Sequence, residues 1–174
     1  MSNTVVIADA SPLIALARIN HLHLLPQLFS EVFMTETVRQ EVVSGGNFAD
    51  SKPVEQAIKA GWLQVKKLPE SQYKTANQLL LDGLDPGEKS SILWALELQD
   101  NGQLTRLIID DAKGRAAARR LSLELIGSAG IIATAKRLDL IPHARPLLEQ
   151  LRASGYYLSQ TVVDAALKIA GEKS

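Results

Sequence analysis

The chain has 174 residues, 46% hydrophobic and 22% charged, which are ordinary proportions for one soluble globular domain. Lysine plus arginine equals aspartate plus glutamate at 19 each, so coating nucleic acid through bulk charge is excluded and a local basic patch would be required. With no cysteine there is neither a disulfide framework nor a thiolate metal site, and any metal must be held by oxygen or by the three histidines.

The N-terminus shows no basic region before an apolar run, and no stretch is long enough to span a bilayer. A cytoplasmic protein without a membrane partner is expected. Residues 4–8 are short, β-branched and apolar before breaking at Asp9, as in a strand buried on both faces. Ser11-Pro12 reads as a hydroxyl cap before a proline at the first helical position, with Leu13, Leu16 and Ala17 following at helical spacing. Residues 31–34 predict a second strand, and Thr35 caps a helix running to about Val43 and ending at Gly45-Gly46. A helix over 53–60 leads to an alternating edge strand over 62–66, and helices are expected over 71–81 and 86–98.

Residues 105–109 form a second strongly apolar strand ending in Asp110-Asp111, followed by a helix to about Leu121 and a short fifth strand over 123–126. Helices over 128–138, 143–153 and 159–170 complete the reading. No linker or low-complexity tract divides residues 1–174, so one domain is expected, with a helical extension from about 143. Alternating strands and helices at this spacing predict an α/β fold. It is a three-layer α/β/α sandwich around a mainly parallel five-stranded sheet, with ligands at the C-terminal strand ends.

Asp9 and the Asp110-Asp111 pair each follow an apolar strand at that end. Turn and cap chemistry explains any single aspartate there equally well, but two such places weaken that explanation. Asp85-Pro86-Gly87-Glu88 is the pattern of a capping box, yet Glu88 shares its helical face with Ile92, Ala95 and Leu96. Glu41 likewise lies between Val38 and Val42 on an apolar stripe. Burying an unpaired carboxylate costs several kcal/mol, about what drives such a group to protonate or find a cation. Acids gathered at one sheet end repel one another unless a divalent ion lies among them, and an all-oxygen ligand set suits Mg²⁺ or Mn²⁺. His21, His23 and His143 read as surface or capping residues. Lys113, Arg115, Arg119 and Arg120 fall in one stretch without an acid, on the arc opposite Gly114, Ala117, Ala118 and Leu121. That basic face is either an ordinary solvated surface or a phosphate-binding one beside the acids.

These residues match a known pattern. The chain resembles the PIN domain family of metal-dependent ribonucleases, in particular an uncharacterised prokaryotic branch. The carrying segments are Val6-Ile-Ala-Asp9-Ala-Ser11-Pro-Leu-Ile14, Thr37-Val-Arg-Gln-Glu41-Val, Leu84-Asp-Pro-Gly-Glu88 and Leu107-Ile-Ile-Asp-Asp111 with Gly114-Arg115, and then Gly127-Ser-Ala-Gly130. The resemblance implies a cleft in which Asp9, Glu41, Glu88 and Asp111 take the catalytic places. Asp9, Glu88 and Asp111 would hold Mg²⁺ or Mn²⁺ there, with Asp110 as a neighbouring metal-binding acid. The resemblance also puts the Ser11 hydroxyl at the metal site, while the residues read by themselves have Lys113, Arg115 or Arg119 neutralise substrate phosphates and Ser11 hold a water or a phosphoryl oxygen. It also implies hydrolysis of RNA phosphodiesters, and for many small prokaryotic members a toxin silenced by an antitoxin protein. The other reading open at this point is a module of the same fold that binds nucleic acid or a partner with little catalysis.

Two departures from the family pattern stand out. Ile109 occupies a place where many relatives carry Ser or Thr, and Glu88 is one methylene longer than the aspartate often found there. Beyond residue 143, Leu147, Leu148 and Leu151, then Val162, Val163, Ala166, Leu167 and Ile169, make amphipathic helices that cover the core or offer a homodimer or partner surface.

Overall fold

The computed structural model describes residues 3–45, 48–69 and 78–173. Their order is β1 (Val5–Ala8), α1 (Ala10–Arg18), α2 (Leu24–Leu28), β2 (Val32–Thr35), α3 (Glu36–Ser44), α4 (Phe48–Lys59), β3 (Leu63–Lys66) and α5 (Gln78–Leu81). Then come α6 (Pro86–Asp100), β4 (Thr105–Ile108), α7 (Ala112–Arg120), β5 (Leu125–Ile126), α8 (Ser128–Arg137), α9 (Arg145–Ala153) and α10 (Gln160–Ala170).

The five strands form one parallel sheet in the order β3-β2-β1-β4-β5. From the central β1 the chain builds outward through β2 and β3, then returns to β1's other side for β4. The strand order therefore reverses between β1 and β4, which is where an open α/β sheet leaves a crevice at its carboxyl edge. Ala8 pairs with Ile108, and the Asp9 N–H donates to the Ile108 carbonyl at 2.9 Å, so Asp9 and Asp110-Asp111 leave the sheet side by side.

Each central strand is buried on both faces. Val6, Ala8 and Ile108 join a core with Val32, Met34, Val38 and the helices from α8 onward, while Ile7, Leu107 and Ile109 face Ile92, Leu93, Trp94 and Ala117. Period-two alternation within apolar strands thus feeds two cores at once, and a fully buried Ile or Leu contributes roughly 1.5–3 kcal/mol. Helices α9 and α10 belong to the first of these cores through Leu147, Leu148, Leu151, Val163, Ala166 and Leu167, so the stretch from 145 onward packs on that core, against α8 and α1. Among the described residues no helix is long and apolar enough to cross a membrane.

The structure differs from the sequence reading at several boundaries. Asp9, not Ser11, occupies the cap position of α1, and Pro12 is the third helical residue. Helix α2 has no counterpart in the expectation. Helix α4 begins five residues before Pro53, where Asp50 is held against α1 by the Arg18 guanidinium at 2.9 Å, a contact 32 residues away in sequence. The fifth strand is shorter than expected because Ser122 adopts a positive φ of 57° and the Leu123 N–H closes the end of α7 on Ala118. Of the helix expected over 71–81, residues 71–77 lie outside the described residues, and 78–81 form α5.

Candidate active site

Asp9 is only 2% exposed. Its backbone is extended at the cap position of α1, yet its side chain makes no cap hydrogen bond, and Oδ1 is buried without a hydrogen-bond partner among the described residues. Burial pushes its carboxyl well above the usual range. The Ala10 N–H opposes that rise, and the charges of Asp85, Glu88 and Glu41 add to it.

Glu41 comes from α3, which starts where Thr35 ends β2 and accepts the Val38 N–H on its hydroxyl. One face of α3 sends Val38 and Val42 into the core, and Glu41 extends beside them toward α6. There its Oε1 accepts the Gly87 N–H at 2.7 Å. Burial raises the Glu41 pKa, the Gly87 bond lowers it and the Asp85 charge raises it again.

The start of α6 carries the reciprocal box expected from sequence. The Glu88 N–H donates to Asp85 Oδ1 at 2.8 Å, and Glu88 Oε2 accepts the Asp85 N–H at 3.3 Å. Capping is not the whole role of either acid. Glu88 is 4% exposed, and its pKa rises from 4.5 to about 7, chiefly by burial and then by the charges of Asp85 and Asp111. Gly114 on α7 lets that carboxylate approach, since a Cβ there would stand 3.2 Å from Glu88 Oε1.

Asp9, Glu41 and Asp85 each present a carboxylate oxygen, and these atoms lie within 4.8 Å of one another. Glu88 extends the acidic array from Asp85 to Asp111, whose charges both raise its pKa. Asp111 is the exposed cap of α7, its Oδ1 accepting the Lys113 and Gly114 N–H groups at 2.8 and 3.0 Å. Among the described residues no ion pair engages any of these five acids. A buried oxygen without a donor, acids that raise one another's pKa and the absence of an ion pair to them among the described residues fit an oxygen-ligated divalent cation.

Both carboxylate oxygens of Asp110 accept hydrogen bonds. Its Oδ1 accepts the Ser128 N–H at 2.8 Å, and its Oδ2 accepts the Ser128 and Tyr156 hydroxyls, both at 2.5 Å. The Asp110 charge and hydrogen bond, after burial, raise the Tyr156 pKa. Asp110 therefore ties the start of α8 and the α9–α10 connection to the end of β4. Arg115 donates to the Ile109 carbonyl at 2.8 Å from the half-buried face of α7. With Arg119, Ser11 and Asp111 it lines a groove of about 860 Å³ that continues over β5 and α10. Lys113 is exposed on the first turn of α7.

Asp85 is the site residue that sequence reasoning missed. Its capping pattern supplied a sufficient role, and the signal that would have found it is an acid three residues before the core-facing Glu88 on a helix starting at the sheet's carboxyl edge.

No curated protein matches the sequence significantly. A family model described as DUF3368, PIN domain, matches residues 5–172, which takes in every strand of the sheet and every acid of the cluster. PIN domains are a nuclease superfamily. The parallel sheet, the acids at its carboxyl edge and this match agree, and the chain belongs to the PIN domain family.

Proposed function

We propose that this protein is a Mg²⁺- or Mn²⁺-dependent ribonuclease whose metal is held by Asp9, Glu41, Asp85, Glu88 and Asp111. The observation that carries the reading is Asp9 Oδ1, buried and without a hydrogen-bond donor among the described residues, beside oxygens of Glu41 and Asp85. Such an atom costs about 1–3 kcal/mol or more unless a cation meets it. When bound, a divalent ion would supply Lewis-acid charge at the phosphate and acidify a water near neutral pH.

The chain's own residues do the rest. Glu41 is oriented by the Gly87 N–H and Glu88 by the Asp85 N–H, so two of the acids are aimed before any ligand arrives. Asp111 is held by two N–H groups at the start of α7, whose next turns carry Arg115 and Arg119 to bind phosphates flanking the scissile bond. The Ser11 hydroxyl, at the lip of the same groove, serves as a further polar contact to the strand. A toxin role under control of an antitoxin is an extension of this proposal and predicts growth arrest on unopposed expression.

The test is cleavage of single-stranded and structured RNA by purified protein with Mn²⁺, Mg²⁺ or chelator, alongside Asp9→Asn/Asp111→Asn. Metal-dependent cutting lost in the double variant is expected. Equal cutting by that variant, after removal of contaminating nucleases, refutes the site. Metal-independent RNA binding without cutting by the wild type favours the binding-module reading instead.

A further inference from the structure

The groove beside the acids has a second wall that the proposed chemistry does not use. Val162, Ala165 and Ile169 form a row along α10 that lines it, while Val163, Leu167 and Ala170 of the same helix pack inward. Val162 and Ile169 are 43% and 48% exposed, and Tyr157 stands at the groove 87% exposed. Tyr157 is presented from a pinned backbone. Its neighbour Tyr156 is bonded to Asp110, and the next carbonyl, that of Leu158, accepts two N–H groups of Arg152 at 3.1 and 3.2 Å. Across from this apolar wall lie Arg115 and Arg119, neither in an ion pair among the described residues. Two neighbouring guanidiniums, an exposed ring on a pinned backbone and an apolar wall, continuous with the acids through Asp111 and Ser11, complement one kind of ligand. That ligand is a chain of phosphates carrying unpaired bases.

Resting on the ribonuclease reading, we propose that the groove between α7 and α10 binds the single-stranded segment of RNA flanking the cut. One unpaired base stacks on Tyr157, and the neighbouring phosphates lie on Arg115 and Arg119. A base inside a duplex cannot reach the ring, so this contact makes the enzyme select single strands. A protein segment is the competing occupant, but the paired guanidiniums and the shared lining with the acids favour the nucleic acid.

The test is fluorescence anisotropy with a labelled single-stranded RNA of about a dozen nucleotides, and with the same sequence as a duplex, on the full chain carrying Asp9→Asn to prevent cutting. Tyr157→Ala is expected to weaken single-strand binding by roughly 5- to 100-fold, Tyr157→Phe and Tyr157→Trp by no more than about twofold, and duplex binding is expected to be unchanged. Arg119→Ala should lower the slope of log K against log salt by about 0.7. Because Tyr157 is exposed, an unchanged melting temperature in its variants is the folding control. Equal affinity of the alanine and phenylalanine variants, or equal losses for duplex and single strand, overturns the proposal. So does a change of oligomeric state in Tyr157→Ala and Val162→Asp without a change in RNA affinity, which would mark the groove as a protein contact. The cleavage assay separates the two claims. Cutting by wild type with Tyr157-independent binding sinks the groove and leaves the nuclease, whereas Tyr157-dependent binding without metal-dependent cutting does the reverse.

Discussion

Glu41 reaches α6 directly over Gly87: its Oε1 accepts the Gly87 N–H at 2.7 Å, and a Cβ on residue 87 would stand 2.2 Å from its Oε2, so a side chain there must displace the Glu41 carboxylate. Gly87 has no left-handed φ, so the backbone itself would accept alanine and gain as much as about 1 kcal/mol of helix propensity. Gly87→Ala should therefore leave the metal-free fold intact or slightly more stable. By displacing Glu41 it should weaken Mn²⁺ binding roughly 10- to 100-fold, measured by calorimetric titration. Unchanged affinity would remove Glu41 from the metal shell.

Asp9→Asn removes a buried charge that the metal-free protein holds at a cost. At about pH 8 in chelator the variant should melt higher than wild type, by roughly 2–4 °C for each kcal/mol relieved in a chain of this size. The same variant should lose most of its thermal response to Mn²⁺. A lower melting point in chelator would mean that Asp9 Oδ1 has a protein donor after all.

The pH dependence of the metal-free fold follows from the raised carboxyls. Glu88 goes from 4.5 to about 7, and Asp9 and Glu41 shift in the same direction, so their folded forms favour the proton. Their stabilising contribution is complete below the unfolded value and is lost as pH climbs through the folded one. In chelator, thermal stability should decline between about pH 4.5 and 7, and Mn²⁺ should restore more of it at pH 8 than at pH 5.5. Glu172, held low by the Ala144 and Arg145 N–H groups despite its burial, works the other way, and only at lower pH. A metal-free fold that gains stability from pH 5 to 8 would count against the clustered acids.

Tyr156→Phe deletes one donor to Asp110 and leaves the ring. A hydrogen bond to a charged acceptor contributes about 1.5–3 kcal/mol, and urea unfolding should show a loss of that order. The Mn²⁺-induced rise in melting temperature is expected to survive, because both Asp110 oxygens already accept hydrogen bonds at the junction of β4, α8 and the α9–α10 connection. Loss of the metal response in this variant would return Asp110 to the metal shell.

Much of this arrangement could be read from the sequence because its signals are local. An apolar strand ending in Asp9, another ending in Asp110-Asp111, and a capping box whose Glu88 faces the core each fit within a few residues, and the β/α alternation orders them around a parallel sheet. What escaped the reading depends on contacts between distant residues. Asp110 finds Tyr156 46 residues later, Arg18 fixes the start of α4 from 32 residues away, and Glu41 meets Gly87 across 46. Asp85 was hidden differently. Its side chain satisfies a local rule, and only the packing of α6 against α3 and β1 shows that the same carboxylate also faces Asp9 and Glu41.

The most direct test of the acid cluster as a metal centre is a Mn²⁺ titration followed by electron paramagnetic resonance, on wild type and on Asp9→Asn/Asp85→Asn, each shown to be folded by circular dichroism. Free Mn²⁺ signal should be depleted stoichiometrically by the wild type and left essentially undiminished by the double variant. Equal depletion by both proteins would contradict the account, because the cation would then sit somewhere other than among these carboxylates.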